Sequence, residues 1–208
     1  DIFTGEKGLL AASSKKKIII NRSTVSPEVS REMAALLKEK NNHYLDAPVS
    51  GSVKQAEEAS LVIIAGGETP VFEKVNPLLK LIGKKAIHIG DTGAGNVTKL
   101  AVNTFLGIVT QGLAEVIKFS RTKNVKTEDL MDILNNSALG SPFIKIKGDA
   151  VLQENYNAAF TLNHLTKDLR LAQEAGFNAP LGKAAYKTFQ NAEKELGSED
   201  VISIIKKL

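Results

Sequence analysis

One change of rhythm limits the possible folds of this 208-residue chain more than any single motif. Before about residue 91, short β-branched runs alternate with helical patterns; after it, the strand signals stop. Residues 17–21, with Ile18-Ile19-Ile20 at their centre, read as a buried strand. Residues 27–40 read as an amphipathic helix, with Ser26 as N-cap, Pro27 in the first turn, and Val29, Met33, Ala34 and Leu37 on the inner stripe. Strands follow at 43–46 and at 61–65, the second ending at Gly66-Gly67. A helix over 70–81, capped by Thr69, leads to a strand at 86–89. Repeated strand–helix–strand units predict an α/β sheet with at least some parallel pairing. Helices are then predicted over 96–121, 127–136, 142–152, 164–174, 180–195 and 200–207, punctuated by Gly140-Ser141-Pro142 and Gly176-Phe177-Asn178. The first of these is apolar on nearly every face from Leu100 to Val116, which puts it at the centre of a helical domain or at a subunit contact.

Composition removes several function classes. No cysteine is present, so disulfides, thiolate chemistry and most zinc sites are excluded. The net charge of +4 is mild, and the densest basic run, Lys15-Lys16-Lys17, has no interleaved aromatics. That run reads as solvated surface rather than a nucleic-acid interface. The most apolar stretch, 100–117, is interrupted by Asn103, Thr104, Thr110, Gln111 and Glu115, which argues against a membrane span and for a cytoplasmic protein. The chain opens on Asp1, and "DIFTGEKGLL" reads as the middle of a loop or a helix end, so a piece of a longer protein is expected.

Chemistry concentrates in "GDTGAGNVTKLAVNTF", residues 90–105. Its glycines do not form a dinucleotide fingerprint: Gly90-x-x-Gly93-x-Gly95 follows the last strand and has the wrong spacing. Gly93 and Gly95 instead permit a tight turn and close approach to a ligand. With Asn96 as N-cap, Lys99 falls near the third helical position, where a cation opposes the macrodipole by roughly a few tenths of a kcal/mol or more. Asn103 lies one turn on, on the same face, so ammonium and amide can meet one substrate oxygen. By residue type alone, a surface lysine beside a capping asparagine is the simpler reading. "PVSGS" offers backbone N–H groups and hydroxyls at Ser50, Gly51 and Ser52 that suit a carboxylate, or a plain strand-to-helix turn. His164 and Asp168 lie one helical turn apart without a third ligand, so no metal is expected; His164, His43 and His88 read as structural.

Four segments, "STVSP", "DAPVSGS", "GAGNVTKLAVN" and "KDLRLA", occur in this order. Together they resemble the β-hydroxyacid dehydrogenase family: 3-hydroxyisobutyrate dehydrogenase, tartronate semialdehyde reductase and glyoxylate/succinic semialdehyde reductase. "SGS" and "KDLRLA" are most similar to the last branch. The resemblance covers essentially the whole chain, minus the family's N-terminal cofactor segment. It implies a partial Rossmann-like domain over residues 1–92 and an all-α substrate and dimerisation domain over 93–208, built on a long central helix. It further implies an NAD- or NADP-dependent oxidoreductase of small hydroxy acids and their aldehydes, assembled as a dimer or tetramer. By the same resemblance Lys99 is the general acid/base with Asn103 as its orienting partner, and Ser50, Gly51 and Ser52 hold the substrate carboxylate. Thr24 and Lys167 are implied on the cofactor side, with Asp168 supporting Lys167 and Phe160 walling the pocket. Lys99 argues against the imine-reducing relatives, and Asn96 stands where the 6-phosphogluconate branch carries a histidine. The rival expectation is a non-catalytic module that keeps the helical domain for dimerisation; the missing fingerprint favours it, and Lys99 with Asn103 opposes it.

Overall fold

The computed structural model describes residues 3–12 and 16–208. Asp1, Ile2 and Lys15 therefore lie outside the described residues, while Lys16 and Lys17 are exposed. Two compact units emerge, residues 1–102 with 174–176, and residues 103–173 with 177–208. They divide inside one long helix, ten residues beyond the domain boundary expected at 92/93.

The first unit is a five-stranded mixed sheet with helices. A four-residue helix α1 (Leu9–Ala12) precedes β1 (Ile18–Asn21), and α2 (Pro27–Glu39) connects it to β2 (His43–Asp46). Strands β1 and β2 are parallel, with Asn21 level with Asp46, so their carboxyl ends lie side by side. β3 (Val49–Ser50) and α3 (Val53–Glu57) precede β4 (Leu61–Gly66), and α4 (Thr69–Leu79) leads to β5 (Gly83–Gly90), parallel to β4. The end of β2 and then β3 run antiparallel to β4, in one register broken at Ala47-Pro48.

The strands form where β-branched residues meet a buried surface. Leu45, Ala47, Ile63 and Ala65 pack with Val71, Phe72, Val75 and Leu79 of α4, while Met33 and Leu37 of α2 pack on Tyr44. Ser26 caps α2 as expected, its hydroxyl accepting from Val29 N–H. Two local expectations fail. Val29 is 41% exposed, because the buried stripe runs through Pro27, Ser30, Met33 and Leu37 and includes a serine that periodicity alone had ranked as polar. Thr69 is the first residue of α4, and Glu68 occupies the cap position.

The second unit is helical: α6 (Thr127–Asn135), α7 (Pro142–Leu152), α8 (Leu162–Glu174), α9 (Pro180–Leu196) and a C-terminal 3-10 helix (Val201–Lys207). Its core gathers Ile117, Leu162, Leu165, Leu169, Phe189, Ile202 and Ile204, all essentially buried. Ser141 and Asp200 cap α7 and the 3-10 helix. Within the core Asp200 also accepts both hydrogen bonds of the Lys147 ammonium, at 2.6 and 2.8 Å.

The long helix is α5 (Ala94–Thr122), starting two residues earlier than periodicity suggested. By length and composition it is apolar enough to cross a membrane, despite its interspersed polar residues. Leu113, Ala114 and Ile117 on it belong to the helical core. The opposite side leaves Val102, Phe105, Val116 and Phe119 exposed.

Candidate functional site

In open α/β sheets, ligands bind outside the carboxyl ends of parallel strands. Here that place is the pair Asn21 and Asp46. From Asn21 the chain enters the 22–26 loop carrying Thr24, and from Asp46 it enters the segment leading to Ser50, Gly51 and Ser52. Asn21 shapes the first exit: its Oδ1 accepts from Ser23 N–H at 3.0 Å, and its Nδ2 donates to the Tyr44 hydroxyl at 2.9 Å. Burial pushes the Tyr44 phenol above its ordinary pKa, so it stays protonated at neutral pH.

Asp46 is fully buried, and its two carboxylate oxygens accept the backbone N–H groups of Gly93 and Asn96 at 2.7 and 2.8 Å. The start of α5 is thus capped by a carboxylate from a strand rather than by its own residues. Burial raises the Asp46 pKa, and the N–H donors of Gly93 and Asn96 work in the opposite direction without cancelling it. Space around the carboxylate is closed. A Cβ at Gly95 would meet Ile64 O at 2.5 Å and Asp46 O at 2.7 Å, and one at Gly66 would meet Asp46 Oδ1 at 2.7 Å.

These contacts correct three expectations. Asn96 is not the N-cap: it lies inside the first turn, fully buried, with Oδ1 accepting from Val25 N–H and Nδ2 donating to Ser30 Oγ, both at 3.0 Å. Lys99 consequently sits half-buried in the second turn, beyond the strongest reach of the helix dipole. Gly95 serves contact between helix and sheet rather than approach to a ligand, and Gly93, at φ +95°, turns the chain against Pro27 O. All three misreadings share one cause, partners distant in sequence.

The carboxylate-anchor candidates adopt a defined turn. Ser50 is half-buried at the end of β3, and Gly51 has φ +128°, a left-handed conformation that a side chain would strain. Ser52 turns both its N–H and its hydroxyl onto Gln55 Oε1, each at 2.8 Å. Two donors therefore converge on one oxygen, in the Ser-x-x-Gln capping box that opens α3.

In the second unit, Asn103 is 2% exposed and donates Nδ2 to Asp168 Oδ2 at 2.6 Å. The Lys167 ammonium lies 2.8 Å from Asp168 Oδ1, an ion pair on the oxygen that Asn103 leaves. Asn103, Lys167 and Asp168 thus form one cluster on α5 and α8. His164 is exposed and stacked on Phe160, which packs against the helical core. Among the described residues no three histidines, aspartates or glutamates gather as a metal set.

Residues 1–90 match the family model for the NAD binding domain of 6-phosphogluconate dehydrogenase. Residues 93–208 match that for the NAD-binding domain of NADP-dependent 3-hydroxyisobutyrate dehydrogenase. The chain is 36% identical to the 2-(hydroxymethyl)glutarate dehydrogenase of Eubacterium barkeri, over 99% of this chain and 70% of that protein. This chain belongs to the 3-hydroxyisobutyrate dehydrogenase-like family. It is also 30% identical to glyoxylate/succinic semialdehyde reductase 2 of Arabidopsis thaliana, covering all of this chain and 60% of that one. The 3-hydroxyisobutyrate dehydrogenase of Mycobacterium tuberculosis, solved with L-serine, superposes with a TM-score of 0.87 at 27% identity, covering 95% of this chain and 72% of that one. The chain thus spans about 60 to 70% of the length of these curated relatives.

Membership of this NAD(P)-dependent oxidoreductase family brings in a nicotinamide cofactor. The first unit fits its nicotinamide end, since the Thr24 loop leaves a parallel strand end with its backbone pinned by Asn21 and Asn96. The glycine turn at the start of α5 is not a pyrophosphate cradle: the space at Gly95 is filled by Ile64 and Asp46 oxygens.

Proposed function

We propose that this protein is an NAD(P)-dependent oxidoreductase that interconverts a small hydroxy acid and its semialdehyde or oxo acid, with Lys99 as general acid/base. One observation carries the reading. Asn103, one turn beyond Lys99 on a largely apolar helix, is buried and committed to Asp168. Burying an amide and a carboxylate costs stability that a purely structural helix avoids with leucine.

A bound nicotinamide supplies hydride in the reductive direction and accepts it in the oxidative one. As negative charge builds on the carbonyl oxygen, the Lys99 ammonium stabilises it and delivers the proton; in the reverse direction its neutral amine takes the hydroxyl proton. Asn103 orients the same oxygen. Thr24 contacts the nicotinamide end, and Lys167, braced by Asp168, lines the cofactor side. The substrate carboxylate binds at Ser50, Gly51 and Ser52, displacing Gln55 Oε1 from the two Ser52 donors. The relatives' names point to short hydroxy acids and aldehyde acids as the substrate class. A second copy of the chain covers the exposed stripe of Val102, Phe105, Val116 and Phe119, a dimer that analytical ultracentrifugation reads directly.

A panel of short hydroxy acids and semialdehydes, assayed with NAD and with NADP, tests the activity. Lys99→Ala is expected to abolish turnover while cofactor affinity by calorimetry changes little. Unchanged kcat in that variant would refute the role of Lys99. A protein that turns over nothing in the panel would return the reading to a dimerisation module.

A further inference from the structure

We propose that Asp46 and Asn96 are positioning residues that hold Lys99 in register with the Thr24 loop, an inference that rests on the oxidoreductase reading above. The lysine stem is flexible, so the place of its ammonium depends first on the backbone beneath it. That backbone is the opening of α5, and it is not held by a cap of its own. The position before the helix is Gly93, which has no side chain to offer. Asp46 supplies the acceptors instead, from the end of β2, and so ties the helix start to the strand that leads to Ser50.

Asn96 completes the connection. Its N–H is held by Asp46 Oδ2, and its side chain reaches in two directions, accepting from Val25 and donating to Ser30. Val25 is the neighbour of Thr24, and Ser30 lies in α2 directly after the loop. Lys99 follows Asn96 by three residues, on adjoining helical positions. Three segments that carry the proposed cofactor contact, the proposed carboxylate anchor and the proposed acid/base are therefore joined through two side chains. Both side chains are fully buried with their polar atoms engaged by Gly93, Val25 and Ser30, so their part is to hold the backbone. The amide is used asymmetrically, as acceptor on one side and donor on the other. Aspartate would lose the donor and leucine both contacts.

A hub of this kind matters because hydride and proton transfer need the reacting groups aligned, and a misplacement of about 1 Å costs on the order of 10²-fold in rate. The test compares Asn96→Ala and the milder Ser30→Ala with the wild-type enzyme. Each is read by kcat and KM for substrate and cofactor, by thermal melting, and by an NMR titration of 13Cε-labelled lysines with Lys99 assigned by Lys99→Arg. Asn96→Ala is expected to lower kcat by about 10²-fold with both KM values within about threefold, and to shift the Lys99 titration. Ser30→Ala, which removes one arm, is expected to do the same to a smaller extent and keeps the test open if Asn96→Ala fails to fold. A variant that melts lower yet keeps wild-type kcat and the wild-type Lys99 titration would overturn the proposal, because the hub would then be packing alone. A change confined to KM would overturn it too. A wild type without dehydrogenase activity but with a Lys99 titration that responds to Asn96→Ala would sink the oxidoreductase reading and leave the hub standing.

Discussion

The two units bury carboxylates in different ways. In the helical unit, Asp200 is 3% exposed and meets a full positive charge, the Lys147 ammonium, as well as the N–H groups of Ile202 and Ala159. In the sheet unit, Asp46 is more deeply buried and accepts from the backbone N–H groups of Gly93 and Asn96 at the start of α5. A cation answers Asp200 on the spot and pins the 3-10 helix to α7. Asp46 serves as an anchor for backbone geometry, and burial leaves its carboxyl with a raised pKa. One carboxylate holds the helical core together; the other holds the start of α5 against the sheet.

The contrast breaks most visibly at Lys147. Replacing it with alanine leaves the Asp200 charge buried, and a loss of about 3–5 kcal/mol in urea denaturation is expected. The double replacement Lys147→Met with Asp200→Leu should recover much of that loss, although the 3-10 helix then forfeits its cap. A Lys147→Ala loss under about 1 kcal/mol would place the pair in the class of exposed, weak ion pairs and dissolve the distinction.

A subtler effect is the dependence of Asp46 on pH. Asp46 is raised above the ordinary 3.8, so the folded protein keeps its proton over a window where the unfolded chain has released one. Stability therefore falls as pH rises from that value through the folded pKa. Asp46→Asn removes this component, so the advantage of the wild type over the variant should be greatest in acid and shrink towards neutrality. Denaturant melts between about pH 3.5 and pH 7 measure it. An advantage that grows with pH would mean that the Gly93 and Asn96 N–H groups outweigh burial.

The smallest effect sharpens the comparison from outside both networks. Ser26→Ala removes a purely local cap and should cost about 1 kcal/mol with no change in kcat. An activity loss there would mean that the Thr24 loop depends on α2 as much as on Asn96.

Legibility in the sequence follows the range of the interactions. The β-branched run at β1, the Ser26 cap and the limits of α7 at Pro142 and Leu152 were all readable, because each is set by neighbours within a few residues. The short β3 and α3 were not, since two strand residues and a five-residue helix carry too little periodic signal. Lys99 and Asn103 stand out by their spacing, and Ser52-x-x-Gln55 has the spacing of a capping box, which the structure forms.

The sequence by itself determined the alternation of strand and helix, the switch to an all-helical half near residue 91, and the family to which both belong. Local periodicity, caps and turn residues suffice for the first two, and the resemblance of four motifs in order carries the third. Only the tertiary structure decided what Asp46, Asn96 and Gly95 do. Their partners lie 47, 50, 66 and 71 residues away or across the sheet, and no short window of sequence brings a buried carboxylate to the start of a helix.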